Sequence, residues 1–178
     1  MRADARRNYE QLLEQARIAF AEFGVDASLD EIARRAGVAS GTLYRHFPTR
    51  LDLIEAVLGK QIAELVALGR DLLTGNDEFD ALTTWLRATL THGLTYRGVA
   101  AAAMNTALED RMSSWHAELF EVGTALFVRA RESGVVTAGV DEVDVLKLVG
   151  AIAWAAQDSA DQADRMFTLL VNGLRYAG

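Results

Sequence analysis

The sequence predicts an all-α protein of about nine helices, with a small three-helix bundle over residues 1–50 and a larger helical domain over residues 51–178. Three observations predict it. Apolar residues recur at steps of three and four through the long segments, the spacing that gathers them on one face of a helix. The 178 residues contain one proline, Pro48, so almost nothing breaks a helix from within. Alternation of β-branched with polar residues, the mark of a half-buried strand, is nearly absent.

Asp4 to Phe23 reads as one amphipathic helix, its stripe formed by Tyr9, Leu12, Leu13, Ala16, Phe20 and Phe23, with Gly24 at the stop position. Ser28 opens a second helix, with Glu31 three residues on as a capping box and Leu29, Ile32, Ala33 and Ala36 inward. Gly37 supplies a tight turn, because a left-handed backbone is cheap only for glycine. A third helix spans about Ser40 to Phe47, with Leu43 and Phe47 inward, and Pro48 ends it. Thr49 caps a fourth helix that runs to about Leu73. Gly75-Asn76-Asp77 breaks the chain. Further helices are expected over about 78–94, 99–108 and 111–132, the last striped by Met112, Trp115, Leu119, Val122 and Leu126. Ser133 to Val140 carries Gly134 and Gly139 and reads as a loop; Asp141 caps a helix to about Gln157, and a final helix covers about 161–176.

Composition narrows the function classes. Apolar residues make up 51% of the chain, enough for a packed core and against wholesale disorder. No cysteine occurs, which removes disulfides, thiol nucleophiles and thiolate-bound zinc together. Three unclustered histidines leave no metal set, and His92 and His116 stand without an evident nucleophile. Zinc-protease, nucleophile-elbow, phosphate-loop and dinucleotide fingerprints are all missing, so no catalytic residue and no cofactor is predicted. The charged N-terminus is no signal peptide, and the longest uncharged apolar stretch, Leu148 to Ala156, is too short to cross a bilayer. No membrane association and a cytoplasmic address follow as expectations. Net charge is −7, unevenly placed: residues 1–50 hold eight arginines against seven acids, and residues 51–178 hold ten bases against eighteen acids. An acidic body repelled by phosphates favours docking on an anionic partner through the arginine-bearing head.

The segment from Ser28 to Arg50 is the most informative. Two short helices joined by a tight turn, the second polar and basic on its outer side, have the layout of a helix-turn-helix that sets one helix in the DNA major groove. Base reading needs donors and acceptors on that outer side, and Arg45 suits a bidentate contact to guanine. Ser40 and Thr42 suit secondary contacts to base edges or a thymine methyl, and Gly41 lets the backbone come close. Arg50, at the start of the fourth helix, suits a phosphate. Arg2, Arg6 and Arg7 are expected to form a flexible arm over the DNA backbone or minor groove. Arg34 and Arg35 read as a solvated face. The run Ala36-Gly37-Val38-Ala39-Ser40-Gly41-Thr42-Leu43-Tyr44-Arg45-His46-Phe47-Pro48-Thr49-Arg50, with its run-up from Phe20, resembles the DNA-binding segment of tetracycline-repressor-type (TetR/AcrR) transcriptional regulators over about residues 8–58. That resemblance implies that Tyr44 and His46 touch phosphates. One position departs from it: Ala39 stands where the family often has a capping serine, so either Ser40 takes over the cap or the helix starts more loosely.

What the resemblance implies for residues 51–178 is a cavity for a small-molecule effector and a homodimer interface. Candidate lining residues are Trp85, Thr89, His92, Tyr96, Met104, Asn105, Glu109, Trp115 and Phe120, although the same aromatics would serve an ordinary core. In the resembled family the last two helices pair with their symmetry mates in a four-helix bundle. Val145, Leu148, Val149, Ile152 and Ala156 mark one here, and Met166, Leu170, Gly173 and Leu174 the other; Gly150, Ala151, Ala153 and Ala155 would allow close approach. The alternative is that these stripes face the chain's own core. The expectation is a repressor released by its effector from an inverted-repeat operator in double-stranded DNA. An activator, or a regulator without an effector, stays open beside it; a helical adaptor and an enzyme are the readings from other classes.

Overall fold

The computed structural model describes residues 2–104, 109–156 and 159–175. Among them are eight α-helices: α1 (Arg2–Phe23), α2 (Leu29–Arg35), α3 (Ser40–His46), α4 (Arg50–Leu72), α5 (Glu78–Met104), α6 (Glu109–Glu132), α7 (Glu142–Ala155) and α8 (Ala160–Leu174). A 3-10 turn, Gly24–Asp26, follows α1. The described residues include no β-strand, and none of their helices is long and apolar enough to cross a membrane. The all-α fold predicted from the sequence is the fold observed.

Contacts gather into two compact units, one of residues 1–61 with 98–112 and one of 62–97 with 113–178. The division differs from the break expected at residue 50, because α4 continues through that point and its first turns stay with the small bundle. Leu53, Ile54, Val57 and Leu58 are buried there. A second difference concerns α5, one 27-residue helix where two were expected. Gly98 lies inside it; an interior glycine costs a helix only about 1 kcal/mol relative to alanine, which long flanks of good helix formers offset.

In the first unit the local signals act as their chemistry dictates. Ser28 accepts from the amide of Glu31 at 3.3 Å and caps α2. Gly37, at φ +70°, lets the amides of Gly37 and Val38 turn back onto the carbonyls of Arg34 (3.1 Å) and Ala33 (3.0 Å). That doubly bonded stop fixes the exit direction toward α3. Thr49 and Asp52 close the start of α4 reciprocally: the Thr49 amide and hydroxyl each donate to Asp52 Oδ2 at 2.8 Å, and the Asp52 amide donates to Thr49 Oγ1 at 3.2 Å.

The second unit is built around Trp85, whose side chain is 1% exposed and whose Nε1 donates to the Leu65 carbonyl at 2.9 Å. Two glycines make room for the indole. A Cβ on Gly69 of α4 would stand 2.8 Å from Trp85 Nε1, and one on Gly123 of α6 would stand 2.8 Å from the far edge of the ring. Arg129 of α6 closes the α4–α5 connection, donating to the carbonyls of Leu72, Leu73 and Gly75 and pairing with Glu78. One guanidinium thus satisfies helix-end carbonyls that α4 leaves without intrahelical partners.

Candidate nucleic-acid interface

α3 is short, and its two sides differ. Leu43 is fully buried and Phe47, just past the helix, is 3% exposed. Gly41, Tyr44 and Arg45 are exposed, three and four residues apart and so on one outward face, with Ser40 and Thr42 half-buried beside them. Ala39 sits at the N-cap without a side-chain hydrogen bond and Ser40 is the first helical residue, so of the two possible starts the helix takes the looser one. The C-terminal end is held more firmly. The Tyr9 ring of α1 meets His46 edge-on at 5.8 Å and lies tilted over Phe47 at 5.2 Å. His46 is therefore half-buried against α1 rather than fully presented outward.

The arginines sort into engaged and unengaged. Arg34 and Arg35 both bind the Glu31 carboxylate, at 2.7 and 2.9 Å, and Arg35 also reaches Glu22. Those hydrogen bonds hold the Glu31 carboxyl down at about 2. The capping serine thus keeps its half of the capping box, while the glutamate serves the two arginines. Arg17 pairs with Glu14 at 2.7 Å. Arg6 pairs with Glu10 and Arg7 with Asp4 along α1, which is helical from Arg2; the expected flexible arm is instead the first turns of a helix. Arg50, expected at a phosphate, has its guanidinium turned inward here, donating to the carbonyls of Val25 (2.7 Å) and Ala27. Among the arginines of the first unit whose side chains are described, Arg45 is the one that no ion pair or hydrogen bond occupies.

Comparison with known proteins agrees with this geometry. Residues 12–57 match the family described as bacterial regulatory proteins, tetR family, and residues 77–176, over half the chain, match the C-terminal domain of SbtR-like transcriptional regulators. The chain belongs to the TetR family of bacterial transcriptional regulators. A TetR regulator from Streptomyces coelicolor is similar in structure at a TM-score of 0.79 and 31% identity, covering 95% of this chain and 99% of that one. One from Mycobacterium vanbaalenii gives 0.78 and 31%, covering 98% and 99%. In sequence, the HTH-type regulator TtgW of Pseudomonas putida is 40% identical over 60 residues, 33% of this chain and 45% of that protein. An HTH-type regulator of Mycobacterium tuberculosis is 27% identical over 166 residues, 90% of this chain and 84% of that one. The aligned stretch thus spans less than half of the first relative and most of the second.

The residues of this TetR regulator expected at an effector cavity and a dimer interface have differing surroundings. Trp85 is sealed in the core, and the half-buried Thr89 donates back to the Trp85 carbonyl at 3.0 Å. Tyr96 is 3% exposed, its ring 5.0 Å from that of His92. His92, Trp115 and Phe120 are half-buried. Burial, with a lesser contribution from nearby His116, lowers the His92 imidazole from 6.5 to about 4, so it is neutral at pH 7. Asn105 and the side chains of Met104 and Glu109 lie outside the described residues. An open groove of about 370 Å³ runs between α5 and α8 along Thr83, Thr84, Arg87, Phe167, Thr168 and Val171. There Arg87 pairs with Asp164 and lies 4.1 Å over the Phe167 ring. No sequence spacing links residues so far apart.

Of the residues expected at a dimer interface, Val145, Val149, Ile152 and Leu174 are at most 6% exposed and belong to the unit's own core, as does Ala156. The helix period explains this: on α7 the stripe at 145, 149 and 152 turns inward. The outward side of α7 carries Leu148 (49% exposed) and Trp154 (73%), and that of α8 carries Leu169 (72%) and Gly173, with Met166 and Leu170 half-buried between. Trp154 and Leu169 were not among the residues singled out in the sequence, because the inward stripe is the more regular one. A single exposed tryptophan beside an alanine-rich run was the signal available.

Proposed function

We propose that this regulator is a repressor that grips an inverted-repeat operator as a homodimer and lets it go when a small molecule binds the second unit. The carrying observation is the outer face of α3: an unengaged Arg45 flanked by Gly41, Tyr44 and the half-buried Ser40 and Thr42, on a helix whose other side is fixed by Leu43 and Phe47. A guanidinium tied by no internal carboxylate is free to pair with guanine. Tyr44 and His46 are assigned to phosphates, His46 from its tethered position against Tyr9.

The homodimer is supported by the apolar outward side of α7 and α8. Leu148, Trp154 and Leu169 are large apolar side chains left exposed on these two helices, the kind of surface an interface covers. A two-fold pair would set two copies of α3 about 34 Å apart, one turn of DNA. His92, Trp115 and Phe120 are the effector contacts still half-open, and a ligand there would act by shifting the population of head spacings.

The test is recovery of bound fragments from a random duplex pool, with retention followed against salt. The expected result is a palindromic consensus whose affinity falls steeply as salt rises. An asymmetric consensus would overturn the homodimer, and no retention at low salt would overturn DNA binding. Placed across a reporter promoter, the recovered sequence should lower expression when the chain is present; a rise would make it an activator.

A further inference from the structure

Arg50 is the first residue of α4, and the position of its guanidinium has a functional meaning of its own. One Nη atom donates to the carbonyls of Val25 (2.7 Å) and Ala27. Both acceptors belong to the turn between α1 and α2, and Ala27 directly precedes Ser28, the residue that caps α2. α2 is joined to α3 by the doubly bonded stop at Gly37, so whatever fixes the start of α2 also fixes the helix that carries Arg45. α4 is a continuous helix of 23 residues. The first turn of α4 is therefore tied, through Arg50, to the start of α2.

We propose that Arg50 is a positioning residue for DNA recognition, tying the start of α4 to the start of α2 through the Val25 and Ala27 carbonyls, and that it contacts no phosphate. The chemistry favours arginine there. A guanidinium carries donors in a fixed planar fork, whereas a lysine ammonium is a strongly hydrated point charge on a flexible stem. Bonds from a charged donor to a carbonyl are also stronger than neutral ones, so a partly buried clamp of this kind resists exchange for water. Turning this guanidinium outward would break both carbonyl bonds, which one Nη atom makes.

The inference rests on the DNA-binding reading above, and the experiment separates the two. The probes are the duplex recovered from the random pool by the wild-type chain and a scrambled duplex of equal length. Arg50→Lys and Arg50→Gln should each weaken the selected duplex by about tenfold or more, from the loss of charge-assisted bonds, and barely change the scrambled one. The slope of affinity against salt should stay at the wild-type value in both variants, and lysine should not rescue. Rescue by lysine, together with a slope shallower by about 0.9 and equal loss on both duplexes for Arg50→Gln, would identify a phosphate contact and overturn the clamp. A lowered melting temperature with unchanged affinities, measured well below that temperature, would reduce Arg50 to fold stability and overturn it too. Wild-type protein that retains no duplex would remove the DNA-binding reading itself, and the clamp with it. Should neither variant fold, the wild type still decides: its Arg50 guanidinium protons should exchange slowly with solvent, free and on DNA. Rapid exchange in either state would sink the proposal.

Discussion

Arg45 and Arg50 lie within one turn of the α3–α4 junction, and their surroundings give them opposite work. Arg45→Ala should cost roughly 1–3 kcal/mol on the preferred duplex and relax base preference at one position, read by measuring Kd over a set of single-base variants. Equal loss on every sequence would assign Arg45 to the backbone instead. Arg45 was legible in the sequence because it sits at a fixed offset from Gly37 and Leu43. The inward turn of Arg50 was not, because its acceptors are backbone carbonyls about 25 residues away, which no side-chain pattern announces. His92 gives a second prediction at this scale. Its folded form titrates at about 4 and an unfolded histidine near 6.5, so between those values the unfolded chain binds a proton that the folded one refuses. Stability should be full above pH 6.5 and fall by on the order of 2 kcal/mol as pH drops toward 4. Glu31, held at about 2 by Arg34 and Arg35, removes its own contribution later, between 4.5 and 2. Urea midpoints from pH 7 to pH 4 should show the first decline, and His92→Gln should flatten it.

Among the elements, those announced by caps and glycine stops were the readable ones. Ser28, Gly37 and Thr49 each make a local bond that depends on a few neighbouring residues, so their chemistry is visible in the chain itself. α5 was misread for the complementary reason: nothing local decides whether Gly98 ends a helix or rides within one, and here the helix continues. The uncapped start of α3 supports a prediction. Ala39→Ser would supply the acceptor that the first turn lacks and should raise unfolding stability by about 1 kcal/mol, measured by chemical denaturation. No gain would mean that the start of α3 finds its partners in solvent at no cost.

At the scale of the whole molecule the question is which apolar side of α7 and α8 serves the core and which is left over. Two stripes wind round these helices. The sequence shows both but not their assignment, because that depends on where α5 approaches; at Gly93 a Cβ would stand 2.9 Å from that of Ala153. With the assignment made, Trp154→Glu combined with Leu169→Glu should convert the assembly to monomers in sedimentation, with helicity retained and affinity for the palindromic duplex sharply reduced. An unchanged dimer mass would place the interface elsewhere. The units divide past residue 50 on the same kind of ground: a boundary is a property of contacts, and the apolar side of α4 keeps its first turns with the small bundle.

The three tryptophans occupy three environments. Trp85 is enclosed between Gly69 and Gly123, Trp115 is half-covered, and Trp154 is nearly bare. The chain therefore carries its own optical readout. Emission from Trp85 should be blue-shifted and indifferent to acrylamide until the protein unfolds, while Trp154 should be quenched freely in a lone protomer and shielded once a second copy covers it.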